Sequence, residues 1–321
     1  MSDKHTGGSK VIWAFGGGKG GSGRTLTVAS LGVLLAEEGR DVILLDGDLE
    51  APNLHTTLGM KRPDRTLMDY QSGRARSLNE TVSPTPINNL RLIAGAPAAF
   101  SAAGRRNASR SKLSRRNLQE LRCEILLIDL GYGAGQNSVE LLLASDTGIL
   151  VTTLELSSIE LVYRYLVAML YRRLKGMDGM SGFDSFMDEE ISETKTGDMI
   201  AMIEKLMDRA GVFKEEARER IEQELFDLDL KLIVNMARDG HDRFLGSSIC
   251  EIVEKFYGFE MDYVGYIPYD DRVAQAGKLG KLFVLDYSSS EAAACFHLIQ
   301  RELLKNVRKR PGASQLSLIR S

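Results

Sequence analysis

The chain has 321 residues, 43% hydrophobic and 26% charged, with a net charge of −3. That balance is globular, and a charge so close to neutrality excludes a bulk electrostatic drive toward nucleic acid or an anionic surface. The three cysteines, Cys123, Cys250 and Cys295, are far apart and form no C-x-x-C pair, which argues against a disulfide framework or a zinc ribbon and for a reducing, cytoplasmic setting.

Residues 1–9 lack the apolar core of a signal peptide and read as a flexible N-terminus. From residue 10 to 310 short apolar runs alternate with helical patterns, the rhythm of a parallel sheet covered on both faces. Strands are expected at Val11–Phe15, Asp41–Leu45, Leu90–Ala94, Glu124–Leu130, Gly148–Leu154, Lys231–Met236 and Tyr263–Ile267. After Thr25, the spacing of Val28, Leu31, Leu34 and Leu35 puts an apolar stripe on a helix that Gly39 is expected to cap. The strand rhythm stops at about 177–229, where GMDGMSGFDSFMDEE leads into two helical patterns, and this acidic stretch reads as a helical insertion. Phe296, Ile299, Leu303 and Val307 share one face of a last helix that should dock on the sheet, and residues 311–321 form a short flexible tail. The fold expected is a single doubly wound, mostly parallel α/β sheet with helices on both faces.

Chemistry concentrates first in GGGKGGSGRT, residues 16–25, which follows the strand VIWAF and opens a helix. Glycines let successive backbone N–H groups and the helix N-terminus point at phosphate oxygens, and Thr25 can offer its hydroxyl to Mg2+. The nucleotide cradle expected comprises Gly18, Lys19, Gly20, Gly21, Ser22, Gly23, Arg24, Thr25 and Thr27. Two more carboxylates, Asp46 and Asp48, stand two residues apart at a strand end, a placement that suits either a metal-and-water task or the capping of the next helix.

The loop K-G-G-x-G-[R]-T resembles the deviant Walker A loop of the ParA/MinD superfamily of P-loop ATPases, with Lys19 at the signature lysine that crosses a nucleotide-sandwiched dimer. ILLDGDLEAPNLHTTLG resembles the family's second strand and first switch, and ILLIDLG its Walker B strand. The resemblance implies ATP or ADP with Mg2+ as ligands, Thr25, Asp46 and Asp129 around the metal, and Asp48 orienting the attacking water. LIVNMARD and VGYIPYDDRV resemble the strand and loop around adenine. They imply a base contact from Asn235, whose amide can both donate and accept, and closure over the base at Pro268. A turn role is the alternative for Asn235. Within the superfamily, IWAFGGGKGG, SSIELVYRYL and the adenine loop look most like MinD/FlhG-like proteins that place flagella and other polar structures. A homodimer across ATP and an unidentified partner or activator follow from the same likeness, as does a cytoplasmic location, peripheral or polar.

One position departs from the pattern. The family has lysine where this chain has Arg24, a planar fork in place of a compact ammonium. Arg24 is expected on the β- and γ-phosphates, with Lys19, Arg24 and Asp48 as the catalytic set, binding retained and hydrolysis slowed. The extremes are an ordinary ATPase and a non-hydrolysing, nucleotide-gated scaffold. A DNA-partitioning ATPase of the ParA type is the third reading. It would draw on Arg105, Arg106, Arg110, Lys112, Arg115 and Arg116, a cluster without intervening acids that invites DNA or membrane contact. Its serines and lack of aromatics favour a solvated or protein-docking face.

Overall fold

Eight strands lie side by side in one sheet in the order β3-β4-β2-β5-β1-β6-β7-β8. The computed structural model describes residues 10–48, 50–96, 113–131, 133–175, 229–257 and 260–307. In chain order the strands are β1 (Val11–Gly16), β2 (Val42–Asp46), β3 (Ser83–Pro84), β4 (Leu90–Ile93), β5 (Ile125–Asp129), β6 (Thr147–Thr152), β7 (Leu230–Ala237) and β8 (Met261–Pro268). The helices used below are α1 (Arg24–Glu37), α2 (Leu54–Thr57), α3 (Leu67–Gln71), α4 (Arg115–Gln119), α5 (Gln136–Leu143), α6 (Leu156–Lys175), α7 (Asp242–Tyr257), α8 (Asp271–Leu279), α9 (Phe283–Asp286) and α10 (Glu291–Val307).

All seven expected strands are present. The eighth, β3, is two residues long and pairs antiparallel with β4, Pro84 opposite Arg91. Two residues carry no alternation to read, and Pro lacks the N–H a central strand needs, so its place at the edge follows. The rest of the sheet is parallel.

Alternation along β1 sets the two layers. Ile12 and Ala14 join one core with Val162 and Tyr165 of α6 and Val253 of α7. Trp13 and Phe15 join the other with Val28, Leu31 and Leu35 of α1 and Phe296 and Ile299 of α10. Strands buried on both faces need apolar residues at odd and even positions alike, which is why these runs are continuous and not alternating. Helix α1 is buried from Thr27 to Ala36, a wider face than one stripe, because α10 and α2 cover the side that the sheet leaves open. Its C-cap is Glu38, and Gly39 stands one residue beyond at φ 85°, where left-handed backbone suits glycine.

The acidic insertion, apart from Asp229, lies outside the described residues, as do Arg105, Arg106, Arg110, Lys112 and both termini. No helix among the described residues is long and apolar enough to cross a membrane.

Candidate functional site

Strand β1 sits at the centre of the parallel sheet, and the loop that leaves its C-terminal end is flanked by the same ends of β5 and β2 on one side and β6 and β7 on the other. Ligand crevices in open α/β sheets form at this edge. The loop takes left-handed backbone at Gly17, Gly18, Gly21 and Gly23. At Gly18 (φ 58°) a Cβ would meet the Val151 carbonyl at 2.6 Å and the Ser22 hydroxyl at 2.7 Å. The loop folds back on itself through Ser22 N–H donating to Lys19 O at 3.1 Å. Gly23 is the N-cap of α1 and offers no side-chain cap, so the first N–H groups of the helix are left for an anion. Thr25 is half-exposed at the first turn. Thr27 is fully buried, and its hydroxyl donates to Gly23 O at 3.0 Å, turned back into its own helix.

Parallel register puts Asp46 at the end of β2 beside Asp129 at the end of β5. Asp46 is completely buried, and its two carboxylate oxygens accept from Asp48 N–H at 3.2 Å and Leu54 N–H at 3.0 Å. Burial, reinforced by the neighbouring Asp129 charge, pushes its carboxyl up to about 7 against the pull of those two backbone donors. Asp48 accepts from Glu50 N–H and Ala51 N–H, each at 2.9 Å. Both carboxylates order the segment leading into α2, Asp46 by accepting from the first N–H of that helix, while sharing one edge with the glycine loop.

Arg24, the first residue of α1, is only 6% exposed. Its Nε donates to Asp129 Oδ1 at 2.5 Å and its NH2 group lies 3.7 Å from Asp48 Oδ2. The long guanidinium reaches across the strand ends and is turned to these carboxylates. Asp129 Oδ2 is buried with no hydrogen-bond partner among the described residues, an acceptor left open. No three His, Cys, Asp or Glu side chains converge to hold a metal directly among the described residues. A divalent ion here would draw on phosphate oxygens, and the half-exposed Thr25 and the open Asp129 oxygen fit such an ion.

On the other flank, Asn235 near the end of β7 is 5% exposed, and its Nδ2 donates to Ser22 O at 2.7 Å. The amide thus clamps the loop. Pro268 ends β8 opposite Ala237. Beyond them a cleft of about 270 Å³ is lined by Arg238, Arg243, Tyr266, Pro268 and Tyr269. Arg238 stacks over the Tyr269 ring at 4.9 Å and Arg243 over Tyr266 at 5.0 Å.

Three participants were not legible in the sequence. Glu155, three residues beyond the end of β6, pairs with the half-exposed Lys19, and a carboxylate so close to a strand end was the available signal. Tyr165 of α6 lies fully buried under Gly16, whose Cβ would come within 3.0 Å of its hydroxyl. That hydroxyl has no partner among the described residues, and burial raises it well above an ordinary phenol. The cation–π pair of Arg238 and Tyr269 is the third. Of the basic cluster, Arg115 pairs with Asp146 at 2.6 Å, a partner distant in the chain, and Arg116 with Glu120 at 3.6 Å, one helical turn on.

Comparison with known proteins agrees with this fold. An uncharacterized ATP-binding protein of Methanocaldococcus jannaschii is 33% identical over 151 residues, 46% of this chain and 55% of its own length, so the match spans about half of that relative. The antiactivator FleN of Pseudomonas aeruginosa is 24% identical over 294 residues, 91% of this chain and 85% of FleN. Among solved structures, the septum site-determining protein MinD complexed with Mg-ADP from Pyrococcus horikoshii superposes with a TM-score of 0.61 at 22% identity, covering 94% of this chain and all of that one. Residues 13–283 match the family described as the CobQ/CobB/MinD/ParA nucleotide binding domain, and this chain belongs to that family.

Proposed function

We propose that this chain is a nucleotide-driven switch of the MinD/ParA type. It binds ATP with Mg2+, pairs with a second copy across the nucleotide, and in that form recruits or positions a protein partner. Hydrolysis to ADP resets it. The observation that carries this reading is the meeting, at one edge of the sheet, of an uncapped helix start, a left-handed glycine loop and three carboxylates from β2, β5 and the segment after β2.

In this reading the N–H groups of Gly20, Gly21 and Gly23 to Thr25 hold the phosphates, Lys19 leaves Glu155 to reach the partner's nucleotide, and Thr25 faces the metal. Magnesium, when bound, supplies charge neutralisation on the phosphates. Asp48 orients water and Asp129 steadies the metal side through its open oxygen. Asn235 positions the loop and offers the base what remains of its amide, with Pro268 on the far side. Likeness to FleN, an antiactivator, supports a role exerted on another protein, and the resemblance to FlhG-like proteins points to flagellar placement.

Size-exclusion chromatography of the full chain with ATP, with ADP and without nucleotide tests the switch. A dimer is expected with ATP alone, and one unchanged monomer peak in all three conditions removes it. A second reading, a scaffold that binds but does not turn over, is favoured by Arg24, whose charge is engaged by Asp129 and Asp48. Single-turnover assays separate the two: misplacement by ~1 Å costs ~10²-fold in rate, so a gain of that order in Arg24→Lys favours the scaffold.

A further inference from the structure

We propose that Tyr165 is a positioning residue of the phosphate loop: its buried hydroxyl hydrogen-bonds the loop backbone at Gly16 and Gly17 when the loop settles on a nucleoside di- or triphosphate, and so adds to nucleotide affinity without touching the nucleotide. The inference rests on the reading that the loop binds nucleotide, and assigns to that site a residue from the middle of α6.

Buried polar side-chain atoms without a hydrogen-bond partner are few in a native structure, and each calls for an explanation. Among the described residues they occur on His55, Asp129, Thr153, Tyr165 and Gln300. Three of these five residues, Asp129, Thr153 and Tyr165, stand around the foot of the glycine loop. Asp129 ends β5 and Thr153 follows β6, the two strands that flank β1, while Tyr165 lies under Gly16, the last residue of β1. Unmet hydrogen-bonding capacity is therefore concentrated where the loop leaves the sheet.

Gly16 and Tyr165 are fitted to each other. A Cβ on Gly16 would stand 3.0 Å from both the Tyr165 hydroxyl oxygen and the ring carbon that bears it. Gly16 does not have left-handed backbone, so what calls for glycine there is the room the phenol takes. Phenylalanine would fill the same space with no polar atom to strand, which makes the hydroxyl a cost unless another arrangement of the loop pairs it. The loop is built to rearrange: Gly17 and Gly18 follow directly in left-handed backbone, and glycines carry no side chains to lock them in one conformation. Phosphate draws the N–H groups of such a loop toward itself, and the phenol directly beneath can meet the backbone that turns down, since a hydroxyl both donates and accepts. Burial raises the phenol above its ordinary value, so its O–H is kept at any working pH.

The experiment pairs two measurements on the full chain, wild type and Tyr165→Phe: isothermal titration of Mg-ADP into nucleotide-stripped protein, and thermal unfolding without nucleotide. The variant should bind ADP about three- to tenfold more weakly, the worth of one hydrogen bond. Its melting temperature without nucleotide should not fall by more than about 2 °C. That split marks a positioning role, because a residue that only supports the fold would move both readouts or neither. An ADP affinity changed by less than about threefold overturns the inference while leaving nucleotide binding intact. A larger fall in the unliganded melting temperature overturns it too, by showing that the hydroxyl is already paired without nucleotide. Absence of ADP binding by the wild type removes this inference and the switch together.

Discussion

Asn235 and Ser22, 213 positions apart, meet where the amide of one donates to the carbonyl of the other at 2.7 Å. The bond crosses from β7 to the loop after β1 and passes over Gly23, where an added Cβ would stand 2.0 Å from Asn235 Nδ2. The neck of the phosphate loop is therefore held by a side chain from a strand two places away in the sheet.

That contact separates two glycines that look alike in the sequence. Gly23→Ala adds a methyl into the amide at φ 81° and should cost about 1–3 kcal/mol and weaken ADP binding at least about tenfold. Gly20→Ala points into open space with ordinary backbone and should change stability by no more than ~0.5 kcal/mol. Urea unfolding and titration with ADP read both, and equal effects of the two changes refute the clamp.

Lys19 and Glu155 form an exposed pair, and such pairs contribute about 0–1 kcal/mol. Glu155→Gln should leave the melting temperature almost unchanged. Lys19→Ala should retain ADP binding and lose the ATP-dependent dimer in chromatography. A Lys19→Ala protein that still dimerises with ATP contradicts the role given to this lysine.

Lys231 is 4% exposed and held between Asp229 at 2.7 Å and Asp262 at 2.5 Å at the start of β7 and β8. Burial alone would lower its ammonium, but hydrogen bonds and charge from both carboxylates leave it above the ordinary lysine value of 10.5. A raised folded-state value means its contribution is complete below about 10.5 and is lost as pH climbs through the folded value. Lys231→Met should destabilise the chain by about 1–3 kcal/mol at neutral pH, less than a fully buried pair because Asp262 is largely exposed. It should also flatten the alkaline limb of the stability profile, measured by denaturant midpoints from pH 8 upward. An unaltered limb in the variant would show that this lysine is not the group responsible.

Tyr165 buries a hydroxyl without a partner among the described residues. Removing a buried, unsatisfied polar atom while keeping the ring should be neutral or stabilising by up to about 1 kcal/mol in Tyr165→Phe. Thermal unfolding decides it, and a loss larger than about 1 kcal/mol would reveal a hydrogen bond to that oxygen.

The amino-acid sequence alone determined what is local. Seven apolar runs became strands within a residue or two of where they were expected, since a parallel strand buried on both faces is written as an unbroken apolar segment. The glycine loop was legible for the same reason: left-handed backbone at Gly18 and Gly23 is a property of single residues. The two-residue edge strand at Ser83–Pro84 was not, because so short a segment has no period.

Partnerships were decided elsewhere. Arg24 and Asp129 are 105 positions apart and Lys19 and Glu155 136, and nothing near either residue in the chain names its partner. The order β2-β5-β1-β6-β7 brings those ends together. Residue types thus told which chemistry was available, and only the tertiary structure decided that the arginine's charge is spent on two aspartates, because long-range pairing follows from strand order and not from any pattern along the chain.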